Sequence, residues 1–220
     1  MISIKNLCFS YSSSQPYTLD DINLDVDKGS YLSIVGENGS GKTTLMKLIL
    51  KLLKPSKGEI INSAKKIGYV PQRVGDFNLS FPITVSEMLY CHMKVLKIKD
   101  KSEISKTLKE VGMADYTNSL IGNLSGGQQQ KIFIARALIG NPDLIILDEP
   151  STGVDVKSQK DIYSLLKDLT RNKGITIITV EHNLKAATTN STHIYKLDKG
   201  NGTLIAIKEN LSNDSIYNKI

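Results

Sequence analysis

The chain has 220 residues, 40% of them hydrophobic and 23% charged, with a formal net charge of +6. That length suits one domain with a sizeable core. No run approaches the roughly 18 apolar residues of a membrane-spanning helix, and Met1-Ile2-Ser3-Ile4-Lys5 does not open a signal peptide, so the expected chain is soluble and stays in the cytosol. The positive charge invites a nucleic-acid reading, which the pattern excludes. Arginine occurs only at Arg73, Arg136 and Arg171, the lysines are spread along helices and turns, and no basic run is interleaved with aromatics. A solvated lysine surface accounts for the charge, with a mild attraction to an anionic membrane face left open. Cys8 and Cys91 lie far apart with no metal-binding spacing, as expected in a reducing compartment, and the adjacent Cys91-His92 reads as ordinary packing.

Taken in order, Ile2 and Ile4 alternate, and Leu7 and Phe9 resume one residue out of phase, predicting a strand with a bulge. Tyr11 follows at its end, where an exposed aromatic could stack on a purine or simply pack. Ser12-Ser13-Ser14-Gln15-Pro16 reads as a loop, Ile22, Leu24 and Val26 as a second strand, and Asp27-Lys28-Gly29 as a turn. Leu32-Ser33-Ile34-Val35 is a short buried strand. It runs into Gly36-Glu37-Asn38-Gly39-Ser40-Gly41-Lys42-Thr43, which fits G-x-x-x-x-G-K-[ST], and Thr44 continues it. Leu45, Leu48, Ile49, Leu52 and Leu53 then fall on one helix face, with Pro55 and Gly58 ending the element.

Strand, glycine loop and helix stand in the order that a phosphate-binding loop requires. Glycines let the backbone N–H groups converge on phosphate oxygens, and the helix N-terminus adds partial positive charge. Lys42 would reach the β- and γ-phosphates, and the Thr43 hydroxyl would ligate Mg²⁺.

Glu59-Ile60-Ile61 and residues 66–70 read as short strands, the second ending in Pro71-Gln72. Residues 85–96 and 101–111 read as helices with no strand close behind. The next apolar strand, Leu144-Ile145-Ile146-Leu147, comes roughly a hundred residues after Lys42, far beyond an ordinary crossover, which predicts an inserted helical region. Asp148-Glu149 closes that strand at the ligand edge of a parallel sheet. There Asp148 could hold Mg²⁺ through water, and Glu149 could orient or deprotonate a water. Ile162, Leu165, Leu166 and Leu169 form another helix face, and residues 175–180 a β-branched strand ending at Glu181-His182. His182 thus comes to the same edge as Lys42 and Asp148, a placement that favours a γ-phosphate contact. His193 and the polar tail from Asn210 suggest no role.

Leu124-Ser125-Gly126-Gly127-Gln128 carries the resemblance. With GENGSGKTT, Gln72, LSGGQQQ, LIILDEP, residues 151–155 and His182 in order, the chain resembles ATP-binding subunits of ABC transporters over nearly its full length. The resemblance implies an α/β fold: a P-loop NTPase (RecA-like) core with an antiparallel β subdomain and an inserted α-helical subdomain. It implies one ATP-binding domain over 1–220, with residues 1–72 and 140–220 forming core and β subdomain and residues 73–139 the helical part. Two copies would close head to tail as an ATP-sandwich homodimer, with Ser125, Gly126, Gly127 and Gln128 acting on the partner's ATP. By the same resemblance Tyr11 stacks on adenine, Gln72 touches Mg²⁺ and water, Glu149 is the general base, His182 senses the γ-phosphate, and Asp155 links the two sites. ATP and Mg²⁺ are the implied cofactors.

Tyr69-Val70-Pro71-Gln72-Arg73, the run Phe81-Pro82-Ile83-Thr84-Val85 and the STGVD after Pro150 look like zinc and manganese importers of the binding-protein-dependent type. The implied partners are integral membrane permease subunits and, indirectly, an extracytoplasmic metal-binding protein, with the chain peripheral on the cytoplasmic face of the cell membrane. Another solute, such as an iron chelate or an amino acid, is the alternative cargo. A non-transport ABC ATPase is the other alternative, although the Lys42–Ser125 interval is too short for a chromosome-maintenance coiled coil and the chain has one cassette where ribosome-acting relatives usually have two. Lys131 stands where arginine is common, and Glu181 and Asn183 flank His182 where Ser and Asp are usual. Phe77, Leu79 and Phe81 would either dock a permease or fill a small local core.

Overall fold

A computed structural model describes residues 1–12, 15–72 and 81–207. Phe77, Leu79, Arg73 and the tail from Asn210 lie outside them. The chain opens with β1 (Ile2–Phe9) and β2 (Leu19–Val26), an antiparallel pair. The slip in hydrophobic phase is real: the register shifts on either side of Leu7, and Asn6 takes a positive φ of 47°. That extra residue lets Ile4 and Leu7 both face inward.

The next strand, β3 (Tyr31–Gly36), is buried from Tyr31 to Val35, as its near-unbroken apolar run requires of a central strand. Helix α1 (Lys42–Ile49) follows the glycine loop and buries Leu45, Leu48 and Ile49. The apolar spacing predicts a helix reaching Leu53, but the helix stops four residues earlier. Leu50 is its C-cap, Lys51 turns left-handed (φ 60°), and the N–H groups of Leu52 and Leu53 both return to the Lys47 carbonyl. Leu52 is consequently 66% exposed. Capping of the last carbonyls outweighs one more apolar contact here.

After β4 (Lys57–Asn62), which pairs with β1, and β5 (Ile67–Val70), the chain leaves the sheet. It makes α2 (Val85–Val95), α3 (Ser102–Glu110), two single 3₁₀ turns and α4 (Gly126–Leu138). It returns as β6 (Leu144–Asp148), parallel to β5, and continues through α5 (Val156–Lys173), β7 (Thr176–Glu181), α6 (Leu184–Asn190), β8 (His193–Asp198) and β9 (Asn201–Ala206). The sheets are β2-β1-β4 and β5-β6-β7-β3-β8-β9, the second parallel except for β9.

Two cores flank the larger sheet. One joins α1 and the three-stranded sheet to the larger sheet through Ile4, Leu24, Leu45, Ile34 and Ile146. The other joins α2, α3, α4 and α5 through Leu89, Leu108, Phe133 and Leu166. Each such fully buried side chain stabilises the fold by about 1.5–3 kcal/mol before ordering entropy is deducted. Among the described residues no helix is long and apolar enough to cross a membrane.

The close seat of α4 on edge strand β5 depends on Gly68, where a Cβ would collide with the Ala137 carbonyl. Gly68→Val should therefore destabilise the chain by about 1–3 kcal/mol through overpacking. Urea denaturation measures this, and an unchanged midpoint would show that the helix can shift freely.

Candidate active site

Parallel pairing of β3, β7, β6 and β5 delivers four loops to one sheet edge. The glycine loop is the first. Gly41 is the N-cap of α1 at φ 101°, and a side chain there would run into Leu19 and the Thr18 carbonyl, so only glycine serves. Lys42 is buried, and its Nζ donates to the carbonyls of Gly36 and Glu37, both at 2.8 Å. Burial lowers its pKa, while Glu149 and Asp148 push in the opposite direction. Ser40 is buried with no partner for its hydroxyl. Glu37, Asn38, Gly39 and Thr43 face solvent. Thr44 is buried and shares a 3.2 Å hydrogen bond with Tyr11, whose ring packs edge-on against Phe9 and is 64% exposed.

The second and third loops bring the carboxylates and the imidazole. Asp148 ends β6 buried, with Oδ1 unpartnered; burial and the neighbouring Glu149 raise its pKa. Glu149 sits at a positive φ of 48°. Its Oε1 lies 2.5 Å from His182 Nε2, and its Oε2 accepts from Thr152 Oγ1 at 2.9 Å. Burial alone would raise the Glu149 pKa, but hydrogen bonds from Thr152 and Gln72 and the nearby His182 outweigh it and the net shift is downward. Two adjacent carboxyls are thus driven apart, the pattern of paired groups with separate tasks. Gln72, from the loop after β5, completes the cluster.

The Ser125–Gln128 segment starts a different element. Ser125 is the N-cap of α4 in a reciprocal capping box: its Oγ accepts from Gln128 N at 3.3 Å, and its N–H donates to Gln128 Oε1 at 2.9 Å. Ser125 and Gly126 are exposed, while Gly127 is buried where a Cβ would strike Ser158. Asp155 caps α5, accepting from the N–H groups of Lys157 and Ser158 at 3.1 and 3.0 Å. Lys131 pairs with Asp161 at 3.5 Å and ties α4 to α5.

The ABC transporter family model matches residues 19–152, more than half of the chain and continuous from β2 through Glu149 to Thr152. The chain belongs to the ABC transporter family. This ABC cassette is 50% identical over 203 residues to a probable metal transport system ATP-binding protein of Treponema pallidum, covering 92% of this chain and 85% of that one. It is 41% identical over 215 residues to the zinc uptake system ATP-binding protein ZurA of Listeria monocytogenes, covering 90% and 83%. A dimeric post-hydrolysis cassette, MJ0796 bound to ADP and Pi, superposes with a TM-score of 0.78 at 28% identity, over 94% of this chain and 99% of that one. The cassette is an ATP-binding ATPase with a P-loop NTPase core.

Of the residues named from sequence, Lys42, Gln72, Asp148, Glu149 and His182 gather at one edge, Tyr11 stands beside the glycine loop, and Ser125 to Gln128 lie near the N-terminus of α5. The sequence reading gave no role to three residues: Thr152, which grips Glu149, and the buried pair Tyr163 and Glu181. A signal for the last did exist. In β7, TIITVE, an ionisable residue closes a run whose every other member is apolar or Thr.

Glu181 is 2% exposed, and burial, with Glu149 adding to it, pushes its pKa up to about 8. Folding therefore takes up a proton wherever the pH lies between the ordinary carboxylate range and about 8. Stability from this group is full below that window, falls across it and is flat above it. Glu181→Gln should remove the slope, so the melting temperature of the variant should gain on the native chain as pH rises from 5 to 8. Parallel curves would show that Glu181 is ionised in the fold throughout.

Proposed function

We propose that this ATPase powers import of a divalent metal ion, zinc or manganese, as a peripheral subunit on the cytoplasmic face of a membrane permease. The single observation that carries the cargo is the 50% identity, over 92% of the chain, to a metal transport ATP-binding protein, with a zinc uptake protein next at 41%. An extracytoplasmic metal-binding protein would feed the same permease. Residues 1–72 and 140–220 act as core and β subdomain and residues 73–139 as the helical part. Phe81 is 60% exposed, which favours docking to a permease over filling a local core.

The chemistry follows from the edge cluster. Phosphate oxygens would replace the Gly36 and Glu37 carbonyls as acceptors for Lys42, supported by the loop's N–H groups and the α1 N-terminus. The exposed Tyr11 ring would carry the adenine. Glu149, oriented by Thr152, Gln72 and His182, would take a proton from the attacking water, and His182 would bond the γ-phosphate. Ser125, Gly126, Gly127 and Gln128 would close on the partner's ATP, with Asp155 beside the interface.

Mg²⁺ fits this edge. Asp148 keeps a buried, unpartnered oxygen whose charge burial disfavours, the hallmark of a carboxylate in need of a cation. Asp148, Thr43 and Gln72 would hold the ion, which would neutralise charge on the β- and γ-phosphates.

Glu149→Gln should lower kcat by about 10²–10⁴-fold while leaving ATP bound, so that a dimer accumulates with Mg-ATP on size-exclusion chromatography. A monomer at every protein concentration would count against the sandwich. Ser125→Arg should leave ATP affinity of the monomer nearly normal and abolish hydrolysis, whereas Lys42→Ala should abolish binding itself. Equal loss of affinity in the two variants would overturn the head-to-tail assignment. For the cargo, the permease complex recovered from membranes should show ATPase activity stimulated by zinc or manganese with its binding protein. Stimulation by an amino acid or iron chelate instead would overturn metal import.

A further inference from the structure

Glu149 is held from two sides, and both holders are neighbours of one buried chain of polar groups. Thr152 follows Ser151, and His182 follows Glu181. Tyr163, on α5, stands between them. Its Oη lies 2.9 Å from Ser151 Oγ and 3.2 and 3.1 Å from the two carboxyl oxygens of Glu181. One turn earlier on the same helix, Gln159 donates to the carbonyls of Ser151 and Val154 at 3.1 and 2.9 Å. Gln159 and Tyr163 are four residues apart and share a helix face. Together they fasten residues 151–154 to α5, and only Tyr163 extends the grip to β7.

From this juxtaposition we propose that Glu181, Tyr163 and Ser151 form a buried hydrogen-bonded strut that fixes the spacing between Thr152 and His182 and so orients the Glu149 carboxylate for hydrolysis. These are positioning residues: they act through Thr152 and His182 and touch no nucleotide. The inference rests on the ATPase reading of the edge cluster and adds to it a determinant of kcat on the far side of the sheet. The groups facing Glu181 are Tyr163 from α5, Thr179 on its own strand, Tyr31 from β3 and Glu149 from the loop after β6. Burial and Glu181 itself keep the Tyr163 phenol protonated at ordinary pH. A phenol has one proton to give. With Ser151 Oγ placed as its acceptor, both joints are made when Glu181 is the neutral acid and supplies a proton to Tyr163. Ionised Glu181 draws the phenol proton to itself and releases Ser151.

The test compares the full chain with Tyr163→Phe, Glu181→Leu and Glu181→Gln, measuring kcat, KM for ATP and melting temperature. Tyr163→Phe and Glu181→Leu should lower kcat by about tenfold or more with KM for ATP within about twofold, because the glycine loop is untouched. Glu181→Gln, whose amide can donate to Tyr163 at any pH, should restore most of kcat. The native chain should lose kcat above pH 8, and Glu181→Gln should not. Kcat of Tyr163→Phe within twofold of native, at an unchanged melting temperature, would overturn the strut. So would a fall in kcat matched by a fall in melting temperature that Glu181→Gln shares, since that pattern is loss of fold. A native chain with no ATPase activity would instead overturn the reading on which the strut rests, and the two failures are distinguishable.

Discussion

The edge of the larger sheet depends on a buried cation. Lys42 loses most of its hydration on folding, and its own loop compensates by turning the carbonyls of Gly36 and Glu37 onto the ammonium. The loop can do this because its glycines allow the backbone to curl. Asp148 and Glu149 supply negative charge from the next loop, and they act against the burial that lowers the lysine's pKa. The same carboxylates repel one another, so neither arrangement is at rest alone. On the proposed reading, a polyanion with a divalent cation would answer both halves at once: phosphates for the lysine, a metal for Asp148.

Parallel strands make that possible. Because β3, β7, β6 and β5 all point the same way, their C-terminal ends lie side by side, and each contributes its polar residue at the same height. The chemistry sits in the residues that close the strands, Asp148 in β6 and Glu181 in β7. Their register, with Leu147 beside Thr179 and Ile34 beside Val180, sets where Asp148 and Glu181-His182 emerge. The smaller sheet has a different part: it covers α1 and brings Tyr11 to the loop through Thr44.

Legibility in the sequence followed the range of the interaction. Glycine spacing, the apolar runs before Lys42 and Asp148, and the phase slip in β1 are local, and each left a readable trace. The stop of α1 at Ile49 did not, because the apolar spacing continued while the cap at Lys51 ended the helix. Strands β8 and β9, with their mixed polar faces, were equally hidden, since their positions are set by pairing with β3 and with each other. The partners of Glu149 divide in the same way. His182 could be placed from the end of a strand, whereas Thr152 owes its role to a turn with Glu149 at positive φ, which side-chain pattern does not reveal. Tyr163 lies beside the apolar face of Ile162, Leu165, Leu166 and Leu169, and nothing in that spacing marks it out. Only the fold shows its hydroxyl reaching a carboxyl eighteen residues away.

The start of α4 gains its meaning from what it is fastened to. Gly127 packs against Ser158 with no room for a side chain, Gly126 approaches the Gly153 carbonyl, and Lys131 pairs with Asp161. The N-terminus of α4 is thereby joined to the N-terminus of α5 and to the loop before it. That loop carries Thr152, which holds Glu149, and is itself held by Gln159 and Tyr163. A phosphate arriving from a second copy at Ser125 and Gly126 would therefore press on a helix end that shares a rigid mount with the chain's own base. Packed contacts of this kind shift between discrete arrangements rather than deform continuously. On the proposed head-to-tail reading, closure at Ser125 would then bear on the orientation of Glu149 through Gly127, Ser158 and the loop that α5 holds.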